Sequence, residues 1–298
     1  MASQKLIFQG LLVLVSVICI VHSTKTIYDG SNIPKHGKII EANYTPRGEE
    51  YQIGNLTVYE TPNGSGKRVL IHIYDILGMS TNIRQVADSI ADIHGFRVVI
   101  PRIFREEYWN SENFPIADQE EVDAWVEQYA SWNGVAKPDV QNIINHFRTT
   151  ENITEFGIFG MCYGGLISTM AATEINEVKA AGWVHPTYVT TEMANDVKVP
   201  MCLLPTLNDP DYIPFYEILK SKFGDAVYHR RFSDMMHAFS GAGGDFSNPL
   251  IQQRVEEAVD LGIVLQQNTE QLELHYNVDT FNLNKIVNFI YESMKSTW

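Results

Sequence analysis

The chain of 298 residues is 45% hydrophobic, enough for one large core, and no repeat or low-complexity block divides it. Its formal net charge of -14 and pI near 5.0 argue against nucleic acid and anionic membrane surfaces as partners, since both are reached through basic patches. Met1 to Ser23 carries one lysine, Lys5, then an apolar run from Leu11 to Val21, and closes on Val21-His22-Ser23. That is the anatomy of a cleaved secretory signal peptide, too short and too polar at its flanks for an anchor. Residues 24–298 are then expected to form a single secreted domain. Asn-x-Ser/Thr sequons at Asn43, Asn55, Asn63 and Asn152 are its candidate glycosylation sites.

From Thr24 to Gly66 the polar, Gly- and Pro-punctuated sequence reads as an N-terminal arm over a sheet edge, with one strand, Leu56 to Glu60. Val69, Leu70, Ile71 and Ile73 then make a nearly continuous apolar run, the mark of a strand buried on both faces, which stops at Asp75-Ile76-Leu77-Gly78. Ile83, Val86, Ala87, Ile90 and Ala91 recur at helical spacing up to Gly95, and Arg97 to Ile100 is a second buried strand, completing a βαβ unit. Arg102 to Phe114, charged and aromatic, reads as a loop beyond a strand's carboxyl end, where α/β sheets bind ligands. Helices are predicted from about Asp118 to Trp132 and from Pro138 through Phe147.

The alternation continues with a strand at Phe156 to Phe159 and a helix at Leu166 to Glu174. Strands follow at Ala180 to Val184, Val199 to Pro205 and Ala226 to Phe232, with helices at Phe215 to Lys222 and Pro249 to about Gln266. A C-terminal extension ends in an amphipathic helix bearing Leu283, Ile286, Val287 and Ile290. Repeated β-α order implies an open, mostly parallel sheet with helices on both faces.

Gly160-Met161-Cys162-Tyr163-Gly164-Gly165 joins a strand to a helix start at one cysteine. By itself this fits a packed cysteine among glycines needed for close approach. At a helix N-terminus, however, the dipole and the unpaired N–H groups favour a thiolate and can hold an oxyanion. Two later residues favour the second reading. Asp209 follows the strand ending at Pro205, and His237 follows the strand ending near Phe232, so nucleophile, acid and histidine come in the order of an α/β-hydrolase triad. Asp211, two residues on, competes with Asp209 as the acid, and His185 competes with His237 as the base, although its place between a strand and Pro186 suits a wall of the site. Cys19 leaves with the signal peptide, and Cys202 sits in the apolar run Met201 to Leu204, so two free thiols are expected, one of them reactive. No metal-ligand spacing and no phosphate-cradling glycine loop with a lysine appear, so neither metal nor cofactor is implied.

Gly-x-Cys-x-Gly-Gly at 160–165, Asp209, His237-Ala238-Phe239, Asp75-Ile76-Leu77-Gly78 and His185-Pro186 together resemble the dienelactone hydrolase family of cysteine-dependent α/β-hydrolases, from about Lys67 to Phe239. The resemblance implies the α/β-hydrolase fold, a triad of Cys162, His237 and Asp209, and an oxyanion hole made by the backbone N–H groups of Tyr163 and Ile76. It implies a substrate pocket that includes Asp75, Arg105 and His185. Asp75 stands where founding members carry a longer Glu, and Gly241, four residues after His237, stands where they carry a carboxylate-binding arginine. These departures favour a small-molecule ester, thioester or lactone without that carboxylate. A secreted protein that binds a small ligand on a hydrolase scaffold, without chemistry, is the competing expectation.

Overall fold

The computed structural model describes residues 43–62, 69–110 and 118–262. The expected signal peptide, Asn63, residues 111–114 and the C-terminal helix expected around Leu283 to Ile290 lie outside the described residues. Eight strands form one sheet: β1 (Glu49–Ile53), β2 (Leu56–Glu60), β3 (Val69–Ile73), β4 (Arg97–Pro101), β5 (Phe156–Met161), β6 (Val178–Val184), β7 (Met201–Leu204) and β8 (Tyr228–His229). Their order is β1-β2-β4-β3-β5-β6-β7-β8, antiparallel at β1–β2 and β2–β4 and parallel from β4 to β8. Every residue of β3 and β5 is buried, as their unbroken apolar character requires of central strands.

Among the described residues six α-helices accompany them: α1 (Thr81–His94), α2 (Gln119–Tyr129), α3 (Lys137–Glu151), α4 (Tyr163–Glu174), α5 (Ile213–Phe223) and α6 (Pro249–Gly262). Ser80 caps α1 by accepting from the Ile83 N–H, and Gly95 closes it in the left-handed region, which no other residue type enters as cheaply. A turn of π-helix, Trp132–Ala136, leads into α3, which carries Pro138 in its first turn.

The chain leaves β3 toward β4 on one side and leaves β5 toward β6 on the other, although β3 and β5 are neighbours. Right-handed crossovers therefore put α1 and α4 on opposite faces, and they open a crevice beyond the carboxyl ends of β3 and β5. The loops at those two ends begin at Tyr74 and Cys162, so the topology itself delivers Asp75, Ile76 and Cys162 to one place.

The expected and observed elements differ at the edges. β1 was not expected, because Glu49-Glu50-Tyr51-Gln52 is a polar edge whose first two residues are exposed and whose pairing with β2 is decided by the hairpin. Preceding it, residues 44–47 clasp a helix rather than the sheet: the buried Asp88 of α1 accepts from the Tyr44 hydroxyl at 2.7 Å and the Arg47 N–H at 3.0 Å. β8 is two residues, extended by an isolated bridge between Thr206 and Phe232, where a longer strand was expected. α4 starts at Tyr163, three residues before its predicted start, because Gly164 and Gly165 sit inside its first turn as packing residues.

Candidate active site

Cys162 has φ 53° and ψ -115°, a left-handed backbone that a side chain enters only at a cost of about 1–3 kcal/mol. The surroundings hold it there. Its carbonyl accepts from the N–H groups of Gly165 and Thr187, both at 2.9 Å, and its own N–H donates to Val184 O at 3.2 Å. A Cβ at Gly160 would strike Gly164 O, one at Gly164 would strike Ile73 O of β3, and one at Gly165 would strike Pro186. The three glycines are thus what lets α4 start against the sheet and keeps the elbow sharp. Cys162 as a residue is 5% exposed, and its Sγ lies 3.8 Å from the Thr187 hydroxyl.

Beyond β7, the Asp209 Oδ2 accepts from the Thr206 N–H at 2.6 Å and the Thr206 hydroxyl at 2.8 Å. This leaves Oδ1 for the His237 Nδ1, at 2.8 Å. The Arg231 guanidinium fixes the same loop from behind, donating to the carbonyls of Thr206, Asp209 and Pro210. Asp211 is exposed, and its Oδ1 accepts from the Ile213 N–H at 3.0 Å in the turn that leads into α5. The carboxylate that meets the histidine is therefore Asp209.

His237 is buried, and the loop that carries it is tied to the acid loop by the Leu207 N–H donating to Met235 O at 3.0 Å. Its Nε2 has no hydrogen-bond partner among the described residues. Burial alone would push its pKa down, but the charges of Cys162 and Asp209 and its bond to Asp209 outweigh that and raise it to about 10. For Asp209 the balance runs the other way: burial pushes its pKa up, while the His237 charge and the hydrogen bonds from His237 and Thr206 carry it below the ordinary carboxylate range.

His185, with φ 38°, packs its ring 4.8 Å from that of His237 and shares a 2.8 Å hydrogen bond between Nε2 and the Ser240 hydroxyl. Burial and the neighbouring His237 charge lower its pKa to about 3, so it stands as a neutral wall.

Asp75 bridges two loops. Its Oδ1 accepts from the Leu77 N–H at 2.9 Å and its Oδ2 from the Ala242 N–H at 2.7 Å, which joins the turn after β3 to the loop after His237. Burial raises its pKa to about 6 despite those two donors and the His237 charge. A Cβ at Gly241 would overlap Asp75 Oδ2, so position 241 has no room for a side chain while Asp75 holds this place. The turn itself is closed by the Gly78 N–H on Asp75 O at 3.1 Å and the Trp109 N–H on Ile76 O at 2.9 Å. The N–H groups of Ile76 and Tyr163 take no part in these bonds, and the latter opens α4, where the helix dipole favours negative charge.

Arg105 is not among the groups that meet here. Its guanidinium grips the buried Asp139 at 2.6 and 2.9 Å and bonds its own loop's carbonyls at Arg102 and Ile103. The pair lines a separate cleft of about 630 Å³ with Gly54, Asn55, Tyr129 and Asn142. Of the candidate glycosylation sites within the described residues, Asn43, Asn55 and Asn152 are all exposed, the last as the left-handed cap of α3. Cys202 lies buried in β7 with its thiol donating to Leu261 O at 3.1 Å, and both Cys162 and Cys202 are free. Among the described residues no group of three or more His, Cys, Asp and Glu converges as a metal centre would. Thr187, Thr206, Arg231 and Ser240 support the site and escaped the sequence reading. Only the cationic Arg231, close to a strand end, left a signal there.

The dienelactone hydrolase family model matches residues 56–270. A carboxymethylenebutenolidase homolog of Mus musculus is 25% identical over 225 residues, 72% of this chain and 88% of that protein. An uncharacterized AIM2 family protein of Schizosaccharomyces pombe is 28% identical over 228 residues, again 72% of this chain and 88% of its own. The crystal structure of a dienelactone hydrolase from Klebsiella pneumoniae superposes with a TM-score of 0.53 at 16% identity, covering 71% of this chain and 97% of its own, a likeness of fold. The α/β-hydrolase fold, with its elbow at the end of β5, and the match over most of the chain agree: this protein belongs to the dienelactone hydrolase family.

Proposed function

We propose that the chain is a secreted hydrolase of ester, thioester or lactone bonds that works through an acyl-enzyme on Cys162. The observation that carries this reading is the 2.8 Å contact of Asp209 with His237 Nδ1, which leaves Nε2 without a partner among the described residues on an imidazole that feels the charge of the strained cysteine. His237 takes the proton of Cys162, and Asp209 holds the imidazole in the tautomer that presents Nε2 and balances the imidazolium that results. The thiolate attacks the substrate carbonyl. The oxyanion of the tetrahedral intermediate is held by the N–H groups of Ile76 and Tyr163, aided by the dipole of α4. As the intermediate collapses, the C–O or C–S bond to the leaving group breaks and His237 gives that group its proton. Water, losing a proton to His237, then attacks the thioester, the carboxylic acid departs, and the thiol is restored.

An activated aryl ester tests this. Turnover is expected in the full chain, and loss of it after iodoacetamide treatment and in Cys162→Ala; full activity in that variant would overturn the reading. Secretion is supported by the sequence of residues 1–23 and by the exposure of Asn43, Asn55 and Asn152. Expressed with its own N-terminus in a eukaryotic host, the protein is expected in the medium, with a mobility that shifts on removal of N-glycans. Retention in the cytosol, unmodified, would exclude this part.

A further inference from the structure

Four observations set the charge character of the Cys162 site. The buried carboxylate of Asp75 lies one residue before Ile76, held at 2.9 Å by the Leu77 N–H and at 2.7 Å by the Ala242 N–H, and near enough to His237 to feel its charge. Position 241, whose Cβ would overlap that carboxylate where it stands, is a glycine and brings no cation. The guanidiniums on the adjoining loops are engaged elsewhere, Arg105 by Asp139 and Arg231 by the carbonyls of the acid loop. Two residues flanking the triad loops are exposed and apolar: Leu207, 53% exposed, two before Asp209, and Met236, 56% exposed, one before His237.

We propose that this site accepts uncharged esters, thioesters or lactones with an apolar acyl arm and rejects acyl groups that carry a carboxylate, with Asp75 as the residue that sets the selectivity. The inference rests on the hydrolase reading above. A carbonyl held between the Ile76 and Tyr163 N–H groups sits beside Asp75. In the reactive state the Cys162 thiolate and the Asp209 carboxylate already outnumber the His237 imidazolium, and Asp75 adds a further negative charge. In a site closed to water such charges act with little screening, so a substrate carboxylate meets repulsion with no cation to offset it. Leu207 and Met236, exposed and next to the triad residues in the chain, offer an acyl arm hydrocarbon rather than a charged group as its contact. The titratable groups around Asp75 are His237 and, through it, Cys162, Asp209 and the neutral His185. Protonation of Asp75 below about pH 6 removes the added charge and relaxes the rejection.

The test uses the full chain and three p-nitrophenyl esters of matched length: the pentanoate, the glutarate monoester, and the cationic 4-(trimethylammonio)butanoate. At pH 8 and low salt the anionic ester is expected to show kcat/KM at least about tenfold below the neutral one, with the cationic ester no worse than the neutral. The anionic-to-neutral ratio should move toward one in Asp75→Asn and, should that variant not fold, in Asp75→Ser. It should also move toward one in the unaltered protein at about pH 5, with high salt acting in the same direction. An anionic ester turned over as fast as the neutral one, or a ratio unmoved by pH and by both substitutions, overturns the selectivity while leaving the hydrolase reading intact. No turnover of any of the three overturns both.

Discussion

Cys162 and Cys202 are both buried free thiols on neighbouring parts of one sheet, and they differ in almost everything that governs reactivity. Cys202 lies within β7 with ordinary strand backbone, its S–H donating to Leu261 O at 3.1 Å, and burial alone pushes its pKa far up. Cys162 lies just past the end of β5 with φ 53°, at the head of α4, with the Thr187 hydroxyl 3.8 Å from its Sγ and its charge felt by the His237 imidazole. A thiol one step beyond a strand's carboxyl end is delivered to the crevice, whereas one inside a strand is delivered to the core. On the function proposed above, position in the topology, rather than residue type or burial, is what separates a nucleophile from a small hydrophobe.

The largest effect should fall on one member of this pair. Cys162→Ala is expected to lower aryl ester turnover by about ten-thousandfold, while Cys202→Ala stays within about twofold, measured as kcat/KM on purified protein. Equal losses would erase the distinction. Asp209→Asn should cost about a hundredfold to ten-thousandfold in kcat, because the amide no longer favours the tautomer in which Nδ1 donates, and Asp211→Asn should leave kcat essentially unchanged.

The backbone part of the comparison is sharpened by Gly164→Ala. Its added Cβ runs into the β3 backbone at Ile73, so a loss of about 1–3 kcal/mol in denaturant unfolding is expected together with a loss of kcat. Arg105→Ala takes the partner from the buried Asp139, but the arginine is itself 40% exposed, so a destabilisation of about 1–2 kcal/mol is expected with KM for a neutral ester unchanged; a raised KM would show that Arg105 contacts substrate.

The smallest effect is on pH dependence. A histidine whose pKa is raised to about 10 on folding contributes stability that is complete below its unfolded value near 6.5 and is lost as pH rises through about 10. Melting temperature should therefore fall between about pH 7 and 10. In Cys162→Ala, where one of the charges that raise His237 is gone, the decline should move to lower pH, and in Cys202→Ala it should not move.

How legible these features were in the sequence follows from what determines each of them. The central strands were readable because β3 and β5 are apolar without interruption, which only two-sided burial explains. β1 was not, since an edge strand of Glu, Tyr and Gln is defined by its partner β2 and not by its own pattern. At the site, Cys162, Asp209 and His237 were found by their positions at strand ends, which the alternation of elements makes countable. The choice of Asp209 over Asp211 needed the observed loop, because the turn at Thr206 decides which carboxylate points inward. Arg105 was expected in the substrate pocket from the family resemblance, yet the loop's left-handed turn at φ 56° and the buried Asp139 give its guanidinium another partner. The match between Asp75 and Gly241 is a contact between residues far apart in the chain, and neither position signals the other.

The most direct test of the nucleophile is intact-mass and peptide analysis of the full chain quenched in acid during turnover of p-nitrophenyl acetate. A single acetyl group on the peptide containing Cys162, released by hydroxylamine and absent from Cys162→Ala, is the expected result. An acetyl group on any other residue, or ligand binding with neither adduct nor product, would contradict it.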